Sequence, residues 1–123
     1  MRMSDKSILV VDDDPAVRAL IVHALRAKYD VYEAADGEAA MRVLVERIPD
    51  LIVADVMMPH LDGFTMARTL KSLRETSRVP IIFLTARSDA MDVVDGINSG
   101  ARHYMTKPFK VTELVGRVQK LLG

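Results

Sequence analysis

The sequence has 123 residues, half of them hydrophobic, with 17 basic side chains, 17 acidic side chains and no cysteine. This length favours one domain over residues 1–123, and the balanced charge disfavours direct binding to nucleic acid or to a membrane surface. Without cysteine there are no disulfides or thiolate metal ligands. The polar N-terminus and the lack of a long apolar run predict a cytoplasmic protein.

Five short apolar runs are predicted to be β-strands. They recur about 20 to 30 residues apart, a spacing that suits strands joined by crossover helices. The predicted strands are 8–11, 31–34, 51–54, 81–85 and, more weakly, 103–106.

Between the strands the apolar residues change to the spacing of an amphipathic helix, which predicts five helices. The apolar sets are Val17, Leu20, Ile21, Ala24 and Leu25; Ala40, Val43, Leu44 and Ile48; Met66, Leu70 and Leu73; Ala90, Val93, Val94 and Ile97; and Leu114, Val115, Val118, Leu121 and Leu122. Gly96 and Gly116 weaken the last two helices. Asp14-Pro15 reads as a helix start, Asp36-Gly37 as a turn and Pro49-Asp50 as a stop before a strand.

The third predicted strand, 51–54, is continuously apolar, which is typical of a parallel sheet covered on both faces. The alternation of strands and helices therefore predicts a doubly wound α/β domain. In such domains the functional site lies beyond the carboxyl ends of the strands, so the residues that follow each strand are the candidates for chemistry.

Acidic residues follow the first and third strands. Asp14 is expected to cap a helix, which leaves Asp12 and Asp13 unexplained, and Asp55 taken alone could be an ordinary turn carboxylate. If Asp12, Asp13 and Asp55 converge, each close pair would repel by about 3 kcal/mol at about 5 Å. A cation must then offset the repulsion, and Lys107 after the fifth strand is one candidate.

A metal is the second candidate. The histidines at 23, 60 and 103 lack metal-site spacing, so a hard cation such as Mg²⁺, bound by oxygen, is expected. Phosphate is the natural ligand of such a site. Thr85, which ends the fourth strand, could donate its hydroxyl to a phosphoryl oxygen or simply be a β-branched strand residue.

Four segments at successive strand ends together resemble the receiver domains of two-component response regulators. The segments are Val10-Val11-Asp12-Asp13-Asp14-Pro15, Asp55-Val56-Met57-Met58-Pro59-His60-Leu61-Asp62-Gly63, Thr85-Ala86 and Tyr104-Met105-Thr106-Lys107-Pro108-Phe109. The resemblance covers nearly the whole chain. It implies a (βα)5 three-layer sandwich whose five parallel strands have the flavodoxin-like order 2-1-3-4-5.

The resemblance also implies a function. Asp55 would accept a phosphoryl group from a histidine kinase or phosphotransfer protein, with Lys107 and Thr85 assisting the transfer. Mg²⁺, replaceable by Mn²⁺, would bind Asp13, Asp55 and the backbone carbonyl of Met57, with Asp12 acting largely through water. The chain would then be a signalling phosphoacceptor that catalyses its own phosphorylation and dephosphorylation, and not an enzyme with a separate substrate.

In receiver domains phosphorylation is read out by a switch, here assigned to Thr85 and Tyr104. The resemblance implies an output surface of the fourth helix, fifth strand and fifth helix, at about 88–122, which would control an output domain or downstream protein. It also implies a cis bond between Lys107 and Pro108. Many DNA-binding relatives have an acidic pair where this chain has Ala101-Arg102-His103, so dimerisation through that face is not expected. His60 is interpreted as an ordinary loop residue.

Three alternatives remain at the level of sequence. A haloacid dehalogenase-type phosphohydrolase would use the Asp-x-Asp at 12–14, although Pro15, Ala16 and the short chain oppose it. A flavodoxin-like cofactor binder would need a phosphate loop rich in Ser and Thr. A receiver-like module could also act without phosphorylation. The end of the chain directly after the last helix leaves open a stand-alone regulator or a receiver cut from a longer one.

Overall fold

A computed structural model describes residues 6–56, 63–85 and 103–123. All five predicted strands and four of the five predicted helices lie within these ranges. The predicted fourth helix, Met57, His60 and the segment Ala101-Arg102 lie outside the described residues.

The strands form one parallel sheet in the order β2-β1-β3-β4-β5, which confirms the predicted topology. Asp55 was predicted to follow the third strand, but in the structure it is the last residue of β3. The strand bounds are β1 Ser7–Val11, β2 Asp30–Ala34, β3 Leu51–Asp55, β4 Ile81–Thr85 and β5 His103–Thr106.

The described helices are α1 Pro15–Arg26, α2 Gly37–Glu46, α3 Gly63–Ser72 and a C-terminal helix, Val111–Leu122. Asp14 caps α1 as predicted, because its carboxylate accepts hydrogen bonds from the backbone N–H groups of Ala16 and Val17. Asp36 was predicted to lie in a turn. It is in fact the N-cap of α2, and its carboxylate accepts a hydrogen bond from the N–H of Ala39 at 2.8 Å.

Successive strand residues point to opposite faces of the sheet, and helices cover both faces. On one face Leu9, Ile52 and Phe83 pack with buried residues of α2 and α3. On the other face Ile8 and Val53 pack with buried residues of α1 and the C-terminal helix. The strands β1, β3 and β4 are therefore buried on both faces, which explains their almost continuously apolar sequences, whereas β2 carries the exposed Glu33.

Three apolar residues that helical spacing assigned to the core are partly exposed. Leu20 is 51% exposed, because the buried side of α1 is formed by Ile21, Val22 and Leu25. At 100° per residue Leu20 lies about 160° from Val22 around the helix. Ile48 and Leu73 lie beyond the ends of α2 and α3, so the helical pattern does not govern them.

Within residues 6–56, 63–85 and 103–123, no helix has both the length and the apolar character that crossing a membrane requires.

Candidate functional site

The carboxyl ends of four neighbouring strands bring the candidate side chains together. Val11 and Ala54 are paired in the sheet, so Asp12 and Asp55 follow matched positions of β1 and β3. Thr85 is paired with Thr106, which places Lys107 directly after the end of β5 and next to the end of β4. The sheet therefore places an acidic group, a hydroxyl and a lysine along one edge.

Asp12 is held on every side although it lies in the loop after β1. Its side chain is 1% exposed, and its Oδ1 accepts a hydrogen bond from the N–H of Asp14 at 2.9 Å. Its own N–H donates to the carbonyl oxygen of Ala34 at 3.2 Å, and its carbonyl oxygen accepts from Arg18 Nη1 at 2.7 Å. Both the backbone and the carboxylate of Asp12 are thus fixed before any ligand binds.

Lys107 joins the two buried carboxylates. Its Nζ donates to Asp12 Oδ2 at 3.2 Å and to Asp55 Oδ2 at 3.0 Å. Its backbone N–H donates to the carbonyl oxygen of Thr85 at 2.7 Å, and the peptide bond between Lys107 and Pro108 is cis. The Lys107 ammonium therefore lies between the carboxylates at the ends of β1 and β3.

The electrostatics of this group reflect its burial. Burial is the main cause that raises the pKa of Asp12 above its ordinary value, and the negative charge of Asp55 adds to it. The hydrogen bond from Asp14 and the charge of Lys107 oppose this rise only in part. Burial alone lowers the pKa of Lys107, but its hydrogen bonds and charge interactions with Asp55 and Asp12 together raise it. Lys107 is therefore a permanent cation at neutral pH.

Three carboxylates form a candidate cation site. Asp12, Asp13 and Asp55 each offer one oxygen, and these oxygens lie within 4.8 Å of one another. Asp13 is exposed, whereas Asp12 and Asp55 are buried. An all-oxygen set of this kind fits a hard cation such as Mg²⁺, which binds through one or two carboxylates and retains several waters. Met57, whose backbone carbonyl was predicted as a further ligand, lies outside the described residues.

The two predicted switch residues lie on adjacent strands. Thr85 is fully buried at the end of β4. Tyr104 is half-buried on β5, with its ring centroid 6.0 Å from that of Phe83. The carbonyl oxygen of Tyr104 accepts a hydrogen bond from Arg117 Nη1 at 3.3 Å, which joins β5 to the C-terminal helix. Tyr104 therefore connects the sheet core to the proposed output surface.

Sequence reasoning missed one residue pair at this site. Arg18 of α1 contacts the backbone of Asp12, and its Nε donates to Glu33 Oε1 of β2 at 3.1 Å. A cation close to the start of a helix is disfavoured by the helix dipole. That unfavourable placement is the sequence signal that could have drawn attention to Arg18.

The chain is similar in sequence to a known protein family and to curated relatives of that family. The family model described as "Response regulator receiver domain" matches residues 8–119. The chain is 42% identical over 116 residues to the DNA-binding dual master transcriptional regulator RpaA of Synechocystis sp., and the match covers 94% of this chain and 48% of RpaA. The chain spans about half the length of the curated relatives it matches.

Two solved structures are similar over nearly their full length. The chemotaxis protein CheY4 of Vibrio cholerae gives a TM-score of 0.90 at 29% identity, covering 96% of this chain and 99% of CheY4. The receiver domain of the sensor histidine kinase PA1611 of Pseudomonas aeruginosa, described with a magnesium ion in its active site cleft, gives 0.88 at 35% identity. That match covers 98% of this chain and 99% of the PA1611 chain.

Proposed function

The chain belongs to the family of response regulator receiver domains, and on this premise we propose that it accepts a phosphoryl group on Asp55 from a histidine kinase or phosphotransfer protein. The observation that carries the proposal is the position of Asp55 at the end of the central strand β3. There its carboxylate belongs to the three-carboxylate group and accepts a hydrogen bond from Lys107. We further propose that residues 1–123 form one signalling domain.

Asp55 is a better acceptor than Asp12 on the geometry of the two carboxylates. Both oxygens of Asp12 accept hydrogen bonds, one from Asp14 and one from Lys107, and its side chain is 1% exposed. The side chain of Asp55 is 9% exposed and lies closer to Lys107. A nucleophile needs an approach path to its oxygen, and burial restricts that path more at Asp12.

We assign the cation site to Asp12, Asp13 and Asp55, with the Met57 carbonyl as a further proposed ligand. Mg²⁺, or Mn²⁺ in its place, would supply positive charge that neutralises the carboxylates and the transferring oxygens. Exposed Asp13 offers an accessible carboxylate for the incoming ion. Asp12 offers a second carboxylate, which hydrogen bonds from Asp14 and Lys107 hold in position.

In the transfer step an oxygen of Asp55 forms a bond to phosphorus while the bond from phosphorus to the donor histidine nitrogen breaks. The electron pair of that bond stays on the nitrogen, and the product is an acyl phosphate on Asp55. Lys107 is already within hydrogen-bond distance of Asp55 Oδ2 and would pair with a transferring oxygen. Thr85 would donate its hydroxyl to the phosphoryl group afterwards. The chain then catalyses transfer to itself and has no separate substrate.

The switch is proposed to run from Thr85 to Tyr104 and on to the surface that includes β5 and the C-terminal helix. The two residues lie on paired strands, and Tyr104 contacts Arg117 of the C-terminal helix through its carbonyl. An output domain or a downstream protein in the cytoplasm would bind this surface. The phosphoryl group can shift the two states only by its differential interaction with them, about 5.5 kcal/mol for a change from 1:99 to 99:1.

The phosphohydrolase alternative conflicts with the contacts of its required residues. Asp12 would be its nucleophile, but that carboxylate is buried and bound on both oxygens. Asp14 would be its second acid, but the Asp14 carboxylate caps α1 through Ala16 and Val17. Neither group is placed for that chemistry.

Labelling with acetyl phosphate and Mg²⁺, without a kinase, tests the proposal. The wild-type chain should form a hydroxylamine-labile phosphoprotein, and Asp55→Asn should form none, because an amide is not a competent nucleophile. Equal labelling of wild type and Asp55→Asn would overturn the proposal. If partner binding proceeds unchanged in Asp55→Asn, the reading as a phosphorylation-independent module gains instead.

The switch has its own test. Thr85→Ala should still incorporate phosphate, but amide shifts caused by beryllofluoride in β5 and the C-terminal helix should fall by more than half. Full-sized shifts in that variant would show that Thr85 does not couple the site to the surface.

A further inference from the structure

We propose that Arg18 is a positioning residue that fixes the peptide between Asp12 and Asp13 and thereby sets the affinity of the carboxylate group for divalent cations. This inference rests on the proposed function, because it takes the three carboxylates as the cation site. Arg18 does not belong to that set of ligands. It acts through the backbone that carries two of them.

The contacts of Arg18 restrain that peptide from the side of α1. Its Nη1 donates to the carbonyl oxygen of Asp12 at 2.7 Å, a short charge-assisted hydrogen bond. That carbonyl belongs to the peptide plane joining Asp12 to Asp13. Rotation of the plane would move the Asp13 carboxylate relative to Asp12, and the hydrogen bond opposes such rotation.

The guanidinium is itself held in place. Its Nε donates to Glu33 Oε1 at 3.1 Å, and the Arg18 side chain is only 20% exposed. Glu33 precedes Ala34, whose carbonyl accepts the N–H of Asp12 at 3.2 Å. The end of β2 therefore restrains the Asp12 backbone twice, once directly through Ala34 and once through Glu33 and Arg18.

Helix stability does not explain why a cation occupies this position. Arg18 lies near the N-terminus of α1, where the helix dipole disfavours positive charge. Its partner Glu33 is 44% exposed on its side chain, and ion pairs at such exposure contribute little to stability. What the pair does secure is the short contact with the Asp12 carbonyl.

Positioning and simple electrostatics predict opposite results when Arg18 is removed. A nearby positive charge repels a divalent cation, so electrostatics alone predicts that Arg18→Ala binds Mg²⁺ more tightly. Loss of positioning predicts weaker binding, because the ion must then order the Asp12-Asp13 peptide itself. Partners that orient metal ligands are typically worth 10- to 100-fold in affinity, and we expect about tenfold here.

The test is a titration of the full 123-residue chain with Mg²⁺, in which binding is monitored by the chemical shifts of backbone amides near the site. Arg18→Ala should bind about tenfold more weakly and should also exchange the Asp14 amide hydrogen faster. Arg18→Lys keeps the charge but cannot donate to Asp12 and Glu33 in the same planar fork. Its affinity for Mg²⁺ should therefore lie between those of wild type and Arg18→Ala. Arg47→Ala is the matched control, since Arg47 pairs with Asp30 at the other end of β2.

Each outcome decides the inference. Unchanged or tighter Mg²⁺ binding by Arg18→Ala, or Arg18→Lys equal to wild type, would overturn it. An equal loss of affinity in Arg47→Ala would also overturn it, by showing a general effect of charge or stability. If Arg18→Ala weakens Mg²⁺ binding while wild type takes phosphate neither from acetyl phosphate nor from a cognate kinase, the positioning role stands and the proposed function fails.

Discussion

Asp12 and Asp13 are adjacent in the sequence, yet the structure treats them in opposite ways. Asp12 is buried, and its backbone and carboxylate contact Ala34, Asp14, Arg18 and Lys107. Asp13 is exposed, and its carboxylate oxygen lies within 4.8 Å of those of Asp12 and Asp55. The first carboxylate is fixed in advance by the protein, and the second is accessible from solvent.

This difference indicates how one acidic loop can serve both folding and binding. Fixing a buried carboxylate costs stability, which the raised pKa of Asp12 records. It also removes the need to order that group when a ligand arrives. An exposed carboxylate carries almost no such cost and can contribute its full charge to an incoming cation.

The largest expected effect concerns Lys107, whose Nζ contacts both buried carboxylates. Lys107→Ala should slow phosphorylation by acetyl phosphate about 100-fold, because it removes a charged donor from the transferring oxygens. Mg²⁺ affinity should not fall, since a competing cation has been removed. Lys71→Ala is the control, because Lys71 lies in α3 and its Nζ donates to the carbonyl oxygens of Ser77 and Val79. A rate within threefold of wild type for Lys107→Ala would contradict this account.

The next effect isolates the exposed carboxylate. Asp13→Asn should weaken Mg²⁺ binding about 30-fold, because a divalent ion about 4 Å from one carboxylate gains about 2 kcal/mol even at the dielectric of water. The free energy of unfolding should change by less than about 0.5 kcal/mol, as expected for an exposed position. Titration calorimetry and thermal melts measure the two quantities. The control is Asp36→Asn, at a helix cap where Asn is equally suitable, which should change neither the Mg²⁺ affinity nor the free energy of unfolding. If Asp13→Asn binds Mg²⁺ as tightly as wild type, Asp13 is not a ligand.

The smallest effect has an unusual sign. The pKa of Asp12 is higher in the folded than in the unfolded chain, so its ionisation lowers stability as the pH rises through the folded pKa. Asp12→Asn should therefore raise the melting temperature of the metal-free domain at pH 7. The gain should fade below about pH 4, where wild-type Asp12 is protonated in both states. A lower melting temperature at pH 7 would show that the hydrogen bond from Lys107 outweighs the cost of burial.

Much of the fold could be predicted from the sequence because strand burial and strand composition agree. The strands β1, β3 and β4 are covered on both faces, so their residues are almost continuously apolar and differ from the helical pattern between them. The exposure of Leu20 could not be predicted, since spacing defines an apolar stripe but does not say which part of it faces the sheet. The end of α2 at Glu46, before Ile48, could not be predicted either, because an apolar residue beyond a helix can continue the helical spacing by chance.

The candidate site shows the same division. The convergence of Asp12, Asp55, Thr85 and Lys107 follows from parallel strands that end at one edge, which periodicity and the family resemblance both indicate. The contact between Arg18 and the carbonyl of Asp12 depends on how the first turn of α1 approaches the loop. No spacing rule encodes that approach, so the contact became visible only in the structure.

The most direct test of the central claim is to locate the phosphoryl group. After incubation with acetyl phosphate and Mg²⁺, the chain can be reduced with borohydride, which converts an acyl phosphate at aspartate to homoserine, and the modified peptide sequenced by mass spectrometry. We predict the modification at Asp55 and none at Asp12 or Asp13. Modification at Asp12 would contradict the account and favour the phosphohydrolase reading, and modification at none of the three, even with a cognate kinase, would exclude a phosphoacceptor.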